Sequence, residues 1–412
     1  MMIRKNWRLW LVLALALVMC IPGLLSAQGK EIVLPFLDVE GLGQKIVVGL
    51  TPAQVTHAYG FDQISNQGNG QTIAIVNAYD PPNVEADLAT FDKQFGLPAC
   101  TIASGCLTKV FSCSGVQCNH LNPNPDPNDL AYEFYGLEIA LDVQWAHAIA
   151  PQAKILLVEA NPTGNGGPTL DDLLGGVKVA LTHNVNVVSM SWGGGEFSTE
   201  AADEDGHFTA SHVTFFAASG DSGHGVIYPA ASPYVMSVGG TRLNVDKKGN
   251  YQSEKAWHGG GGGLSQDEPE PAYQIAYPIP TDAKRKRGTP DVAYNGAPGT
   301  GVAVFDSLIY LGSTGWQQVG GTSAGPPQWS ALFAIVNSLR AKDNNPPLTG
   351  AHGVLYDAAQ DSHGWETFND ITNGQDGNCK RCVAKPGYDF VTGLGSPQAD
   401  LLIPALRNLI DR

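Results

Sequence analysis

The stretch LAYEFYGLEIALDVQWAHAIAPQAKILLVE, residues 130–159, decides the fold. Leu130, Phe134, Leu137, Leu141, Trp145 and Ala148 recur every three or four residues, the spacing of one buried helical stripe. Asn128 or Asp129 can cap the start of that helix, and Pro151 stands just beyond its end. The run Lys154–Glu159 follows. It is continuously apolar inside, as a strand covered on both faces should be. The same grammar recurs at Thr72–Asn77, Asn186–Ser191, Val213–Ala217 and Tyr234–Val238, with a helical pattern at Leu170–Thr182. Buried strands alternating with helices predict an α/β fold class, a mostly parallel central sheet flanked by helices.

The rest of the 412 residues is consistent with this. Apolar residues make up 43% and charged ones only 15%, an ordinary globular balance. Glycine (49) and proline (27) are too abundant for a helical bundle. Arg4, Lys5 and Arg8, then the apolar Leu9–Met19 and the small pair Ser26-Ala27, read as a cleaved export signal over residues 1–27. Cys20 leaves with it. No later segment is apolar enough to span a bilayer, so no stable membrane association is expected. The six remaining cysteines fall into local pairs, Cys100–Cys106, Cys113–Cys118 and Cys379–Cys382, which in an exported chain favour disulfides. The Cys379-x-x-Cys382 spacing also suits zinc. A net charge of −15 without a basic, aromatic-interleaved surface argues against nucleic acid as a partner. The basic run Lys284–Arg287 reads as a solvated loop.

Three segments can carry chemistry. Glu138 and Asp142 sit at i and i+4 on one helical face. Each lies one position beyond a core leucine, where two like charges repel. Gly320-Gly-Thr-Ser-Ala-Gly-Pro-Pro327 precedes a helical pattern (Trp329, Leu332, Phe333, Val336, Leu339), which puts Ser323 at or near a helix N-terminus. Free amides there favour a developing negative charge. Ala218-Ser-Gly-Asp-Ser-Gly223 places Asp221 just past an apolar strand, where functional residues of parallel sheets gather. A serine hydrolase usually takes histidine as its base. None of the ten histidines has a convincing context. His147 lies about half a turn around the helix from Glu138, by 100° per residue, and should face away.

Taken in order, these segments resemble the sedolisin family, the serine-carboxyl peptidases with a subtilisin-like fold. Thr72–Tyr79, Ser189-Met-Ser-Trp-Gly193, Gly259–Gly263 and Pro290-Asp-Val-Ala293 also match it, over roughly residues 51–405. The resemblance implies a serine-carboxyl endopeptidase acting on polypeptide substrates. In it Ser323 attacks the scissile carbonyl, Glu138 accepts and returns the proton, Asp142 orients Glu138, and Asp221 helps bind the oxyanion. A carboxyl base and a protonated oxyanion donor both favour acid, so activity is expected mainly below about pH 5. Gly259–Gly263 reads as a wall of the substrate cleft, and Ser189–Gly193 as an edge that could pair with an extended peptide.

The resemblance further implies one structural calcium ion. Its ligands would be the Asp370 and Asp389 carboxylates with the Ile371 and Gly387 carbonyls, and the Lys385 carbonyl where the family has glycine; such oxygen ligands suit calcium. Residues 51–412 then form the peptidase domain. Gln28–Leu50 is too short to be a folded prodomain, so no tethered inhibition is expected, and a prodomain or inhibitor would act in trans. Two rival readings are a non-catalytic binding or cell-surface protein on a peptidase scaffold and a conventional Ser-His-Asp hydrolase.

Overall fold

The computed structural model of the chain describes residues 31–121, 129–277, 279–280, 285–348, 351–360, 367–377, 379 and 381–409. The predicted signal at 1–27, with Cys20, lies outside the described residues, as do Asn128 and Lys284. The strands are β1 (Leu34–Pro35), β2 (Asp38–Gln44), β3 (Thr72–Ala78), β4 (Leu107–Cys113), β5 (Val116–Cys118), β6 (Lys154–Ala160), β7 (Val187–Met190), β8 (Trp192–Gly195), β9 (Thr214–Ala218), β10 (Ile227–Tyr228), β11 (Val235–Val245) and β12 (Tyr251–Ala256), followed by β13 (Gly263–Pro269), β14 (Lys286–Thr289), β15 (Val292–Asn295), β16 (Val302–Tyr310) and β17 (Ser313–Gly320).

The central sheet runs β12-β11-β9-β7-β3-β6-β4-β5, with β15 also paired to β11. All its inner pairings are parallel, and only the edge strands β12 and β5 are antiparallel. The α/β prediction therefore holds. Its five predicted strands are present with shifts of a residue or two at most ends, except that β11 runs on to Val245. Beyond Val238 that strand reads Gly-Gly-Thr-Arg-Leu-Asn-Val, buried through Thr241 and partly exposed after it against the edge strand β12, so it lacks the continuous apolar signal of its first half.

Side chains alternate across each strand and so feed two cores. Ile73, Ile75, Ile155 and Leu157 face a core that also holds Leu137, Leu141 and Trp145 of the helix Leu130–Ile149 and Trp329, Leu332 and Phe333 of the helix Gly325–Lys342. Ala74, Val76, Leu156 and Val158 face the other, with Leu173, Leu174 and Val177 of the helix Leu170–Ala180. The first helix, carrying Glu138 and Asp142, and the second, following Ser323, thus share one face of the sheet.

Two expectations need correcting. The helix Leu130–Ile149 buries nearly its whole circumference rather than one stripe. It is clamped between the sheet and β16: Gln144 exchanges hydrogen bonds of 2.7 and 3.0 Å with the Phe305 backbone, and Trp145 Nε1 donates to Ala303 O at 2.9 Å. The acids at 138 and 142 are thus interior groups. The basic run is only in part a solvated loop, since Arg285 is exposed but Lys286 and Arg287 belong to β14. Arg287 lies fully buried in β14, paired with Asp291 four residues on, and Arg285 pairs with Glu270 at 3.1 Å. A buried guanidinium needs such a partner.

The three predicted disulfides are present. Asp129 caps the long helix through its contact with Ala131 N at 3.0 Å. Among the described residues no helix is long and apolar enough to cross a membrane.

Candidate active site

The carboxyl ends of β3, β7 and β9 deliver Asn77, Ser191 and the Asp221 turn to one point, and the helix Leu130–Ile149 passes it. Ser323 sits in the single turn Thr322–Ala324, which leads directly into the helix Gly325–Lys342 with prolines in its first turn. Its side chain is fully buried. The hydroxyl donates to Ser191 O at 3.1 Å. The preceding Gly321 has φ 104°, and a Cβ there would stand 2.7 Å from Asp221 Oδ2. Glycine is required for that close approach.

Glu138 and Asp142 are both 0% exposed. Neither Glu138 oxygen has a hydrogen-bond partner at ordinary distance. Burial first, and the charge of Asp142 second, hold its pKa well above the usual carboxylate range, while the neighbouring Ser323 hydroxyl acts in the opposite direction. Burial pushes Asp142 up to about 7 against the pull of two donors, Ser191 Oγ at 2.8 Å and Asn77 Nδ2 at 2.9 Å. Two adjacent carboxyls in one dry pocket cannot both ionise cheaply, so they titrate as a pair. Asp221 reaches the residue just before Ser323. Its Oδ1 accepts from Thr322 N at 2.8 Å and Thr322 Oγ1 at 2.7 Å. Its Oδ2 is buried without a partner, and burial pushes its pKa up to about 7.

The four residues singled out in the sequence therefore come together, and His147 does not join them. Its Nε2 donates to Pro98 O at 2.8 Å and lies 3.5 Å from Asp92, on the far side of the helix. Asn77, Ser191 and Thr322 were missed as participants. Their segments were recognisable, but polar residues at strand ends are too common to single out.

The chain's own N-terminal segment runs past Ser323 along the Ser189–Gly193 edge. Leu34 and Pro35 pair antiparallel with Gly193 and Trp192 of β8. Phe36 N–H lies 3.3 Å from Ser191 O and 3.0 Å from Ser323 Oγ. Ser323 N–H donates to Phe36 O at 3.1 Å. The chain then continues as β2 along β17. The Ser189–Gly193 edge does pair with an extended peptide, one from its own molecule. The Gly259–Gly263 run packs against the Asp221 loop: Gly223 N–H donates to Gly259 O at 2.8 Å, and a Cβ on Gly261 would collide with the Ser219 carbonyl.

The proposed calcium ligands lie together in one loop. Asp370 Oδ2 accepts from Gly387 N at 3.1 Å, and Asp389 Oδ2 from Lys385 N at 2.8 Å, so both carboxylates close on the same short segment. Burial raises the pKa of both. Both oxygens of the buried Asp376 lack partners, and that residue feels the charge of Asp389. Excess buried negative charge among carboxylates and backbone oxygens fits a hard cation such as calcium.

Comparison with known proteins agrees with this geometry. A model of the subtilase family matches residues 127–382. Kumamolisin from Bacillus sp. (strain MN-32) is 35% identical over 390 residues, covering 86% of this chain and 63% of its own length. Tripeptidyl-peptidase 1 from Dictyostelium discoideum is 28% identical over 396 residues, covering 90% of this chain and 58% of its own. The chain thus spans about three fifths of these relatives. The solved structure of Pseudomonas sedolisin, a serine-carboxyl proteinase complexed with two molecules of pseudo-iodotyrostatin, superposes with a TM-score of 0.71 at 26% identity, over 88% of this chain and 99% of that one. The chain belongs to the subtilase family and, within it, to the sedolisins.

Proposed function

We propose that this chain is an exported, acid-acting serine-carboxyl peptidase that hydrolyses polypeptides through an acyl-enzyme on Ser323. Residues 51–412 form the peptidase unit and residues 1–27 the export signal. The observation that carries the proposal is the convergence of a buried serine with three buried carboxyl groups, two of them adjacent, at the end of a parallel sheet.

Ser323 Oγ attacks the peptide carbonyl carbon, and the Glu138/Asp142 pair takes its proton through Glu138. The oxyanion forms between Ser323 N–H and the unpartnered Oδ2 of Asp221, which donates only when protonated. Glu138 returns the proton to the leaving nitrogen, and water then repeats the sequence to release the acid. Asp142, fixed by Asn77 and Ser191, positions Glu138. Asp221, pushed up to about 7, is protonated in acid and loses its donor as pH rises through neutrality, whereas Glu138 accepts a proton only while the Glu138/Asp142 pair carries a negative charge, so activity is expected to fall again in acid strong enough to protonate both members. Calcium, held by Asp370, Asp389 and the Ile371, Gly387 and Lys385 carbonyls, would brace the loop whose Phe390 carbonyl packs against Gly262.

The test is incubation with a peptide library from acid to mildly alkaline pH, products being read by mass spectrometry. Cleavage confined to the acid side and abolished in folded Ser323→Ala is expected. Cleavage that persists in this variant, or a profile peaking in alkali, would refute the proposal.

A further inference from the structure

Behind the helix that carries Glu138 and Asp142, one disulfide meets a buried histidine that takes no part in the chemistry at Ser323. We propose that Cys100, Cys106 and His147 bind a zinc ion when the Cys100–Cys106 disulfide is reduced, with Asp92 and Pro98 orienting the imidazole. The inference is independent of the peptidase reading. It gives the 100–106 loop a second staple wherever a thiol reductant opens the first.

The cysteines end a loop that follows the helix Val84–Phe95, and His147 lies in the last turn of the helix Leu130–Ile149. Two sulfurs and one ring nitrogen come within 4.8 Å of one another. A tetrahedral zinc ion with bonds of about 2.0–2.3 Å spaces its ligands about 3.3–3.8 Å apart, so small side-chain movements suffice once the sulfurs part. Among the described residues no histidine or carboxylate joins Cys379 and Cys382 in this way, although theirs is the zinc-type spacing. The imidazole is already prepared. Its Nε2 lies 2.8 Å from Pro98 O and 3.5 Å from Asp92 Oδ1. A carbonyl can only accept, so Nε2 carries the hydrogen and the lone pair is on Nδ1. That atom is buried without a partner. His147 is 1% exposed, and burial holds its pKa below the usual value, which keeps the ring neutral. A metal-ligating histidine gives its other N–H to a carbonyl or carboxylate in the same manner. Asp92 is itself held, Oδ2 accepting from Cys100 N at 3.2 Å, while Oδ1 has no hydrogen-bond partner. Cys106 is half-buried, which leaves water access to the fourth position.

The exchange needs one further reactant, a dithiol reductant. The S–S bond between Cys100 and Cys106 breaks, both sulfurs become thiols, and the reductant is oxidised to its own disulfide. Zn²⁺ then displaces the two thiol protons to solvent, and the neutral imidazole binds without losing a proton. Two thiolates match the charge of the ion, which suits an interior site.

The test uses the full chain, reduced by a dithiol, freed of it without air and titrated with cobalt(II) as a coloured stand-in for zinc. The expected result is a thiolate-to-cobalt charge-transfer band with the strong visible absorption of a tetrahedral site, both bleached by added zinc and absent from the oxidised chain. Cobalt among the oxygen ligands of the 385–389 loop would give no thiolate band. Cys379→Ser/Cys382→Ser keeps the band, and Cys100→Ser/Cys106→Ser loses it. His147→Ala weakens binding by more than about 100-fold; Asp92→Asn, which removes only an outer partner, weakens it by about 10- to 100-fold with the spectrum unchanged. Should His147→Ala not fold, the cysteine variants, which leave the helix untouched, decide the matter. A reduced chain without the thiolate band, a band that survives Cys100→Ser/Cys106→Ser, or equally tight binding in folded His147→Ala would overturn the inference. Peptide hydrolysis by the oxidised chain is measured separately, so the peptidase reading stands or falls on its own.

Discussion

Two groups of buried acids in this molecule are built from the same residue types and differ in what surrounds them. Around Ser323, Asp142 meets two neutral donors, Ser191 and Asn77, and Glu138 stands beside it in the same buried pocket. Around the 385–389 loop, Asp370 and Asp389 accept from the backbone amides of Gly387 and Lys385. Burial raises the carboxyl pKa values in both groups, but only the first sets two carboxyls side by side next to a serine hydroxyl, while the second lies beside the backbone of a loop. On the proposed function, environment rather than residue type is what would assign one set to proton transfer and the other to metal binding.

Glu138→Gln breaks the first group most sharply. Its kcat should fall by about 10²- to 10⁴-fold, the usual worth of a positioned general base, without change in the calcium dependence of thermal stability; a wild-type kcat would remove Glu138 from the mechanism. Asp221→Ala should lower kcat by about 10²- to 10³-fold, as losing one oxyanion donor does. Asp221→Asn sharpens the point, because an amide donates without needing a proton. It should recover part of that loss and extend activity to higher pH. An unchanged alkaline limb would mean that Asp221 titration does not set it.

The second group is broken by chelation. Removing calcium held at roughly a hundred times its Kd costs about 2.7 kcal/mol and should lower Tm, while the pH dependence of the remaining activity stays the same. Asp389→Ala should lower Tm in the same way and no longer respond to chelator. A Tm indifferent to both calcium and this substitution would refute the site.

A smaller effect follows from the acids outside both groups. Burial pushes Glu200 up to about 9 and Glu268 and Asp306 up to about 7. A raised carboxyl pKa in the folded state contributes stability that is fully present below the unfolded value near 4 and is lost as pH rises through the folded value. The calcium-saturated protein should therefore melt at progressively lower temperature between about pH 4 and pH 9. A Tm that rises across this range would contradict the assignment of protonated, buried acids.

Much of this was legible in the sequence for a physical reason. Strands covered on both faces must be apolar throughout, so β3, β6, β7 and β9 announce themselves. A helix bearing Glu138 and Asp142 one position past core leucines also stands out, because like charges rarely flank an apolar stripe. What was hidden depends on backbone or on distant partners. The pairing of Leu34–Pro35 with β8 uses main-chain groups opposite Trp192 and Gly193, which carry no strand pattern. Arg287 reads as one of four surface cations until Asp291, across the turn at Pro290, is seen to pair with it. Asn77 and Ser191 are ordinary strand-end residues until the helix brings Asp142 between them.

The most direct test of the central claim is the pre-steady-state rate of Ser323 acylation by a peptide ester, followed from about pH 3 to pH 9 in the wild type and in Glu138→Gln. A carboxyl base with a protonated Asp221 predicts fast acylation in acid, decline through neutrality and near-complete loss in the variant. Acylation that climbs to a plateau above neutral pH, or proceeds undiminished in Glu138→Gln, would contradict it.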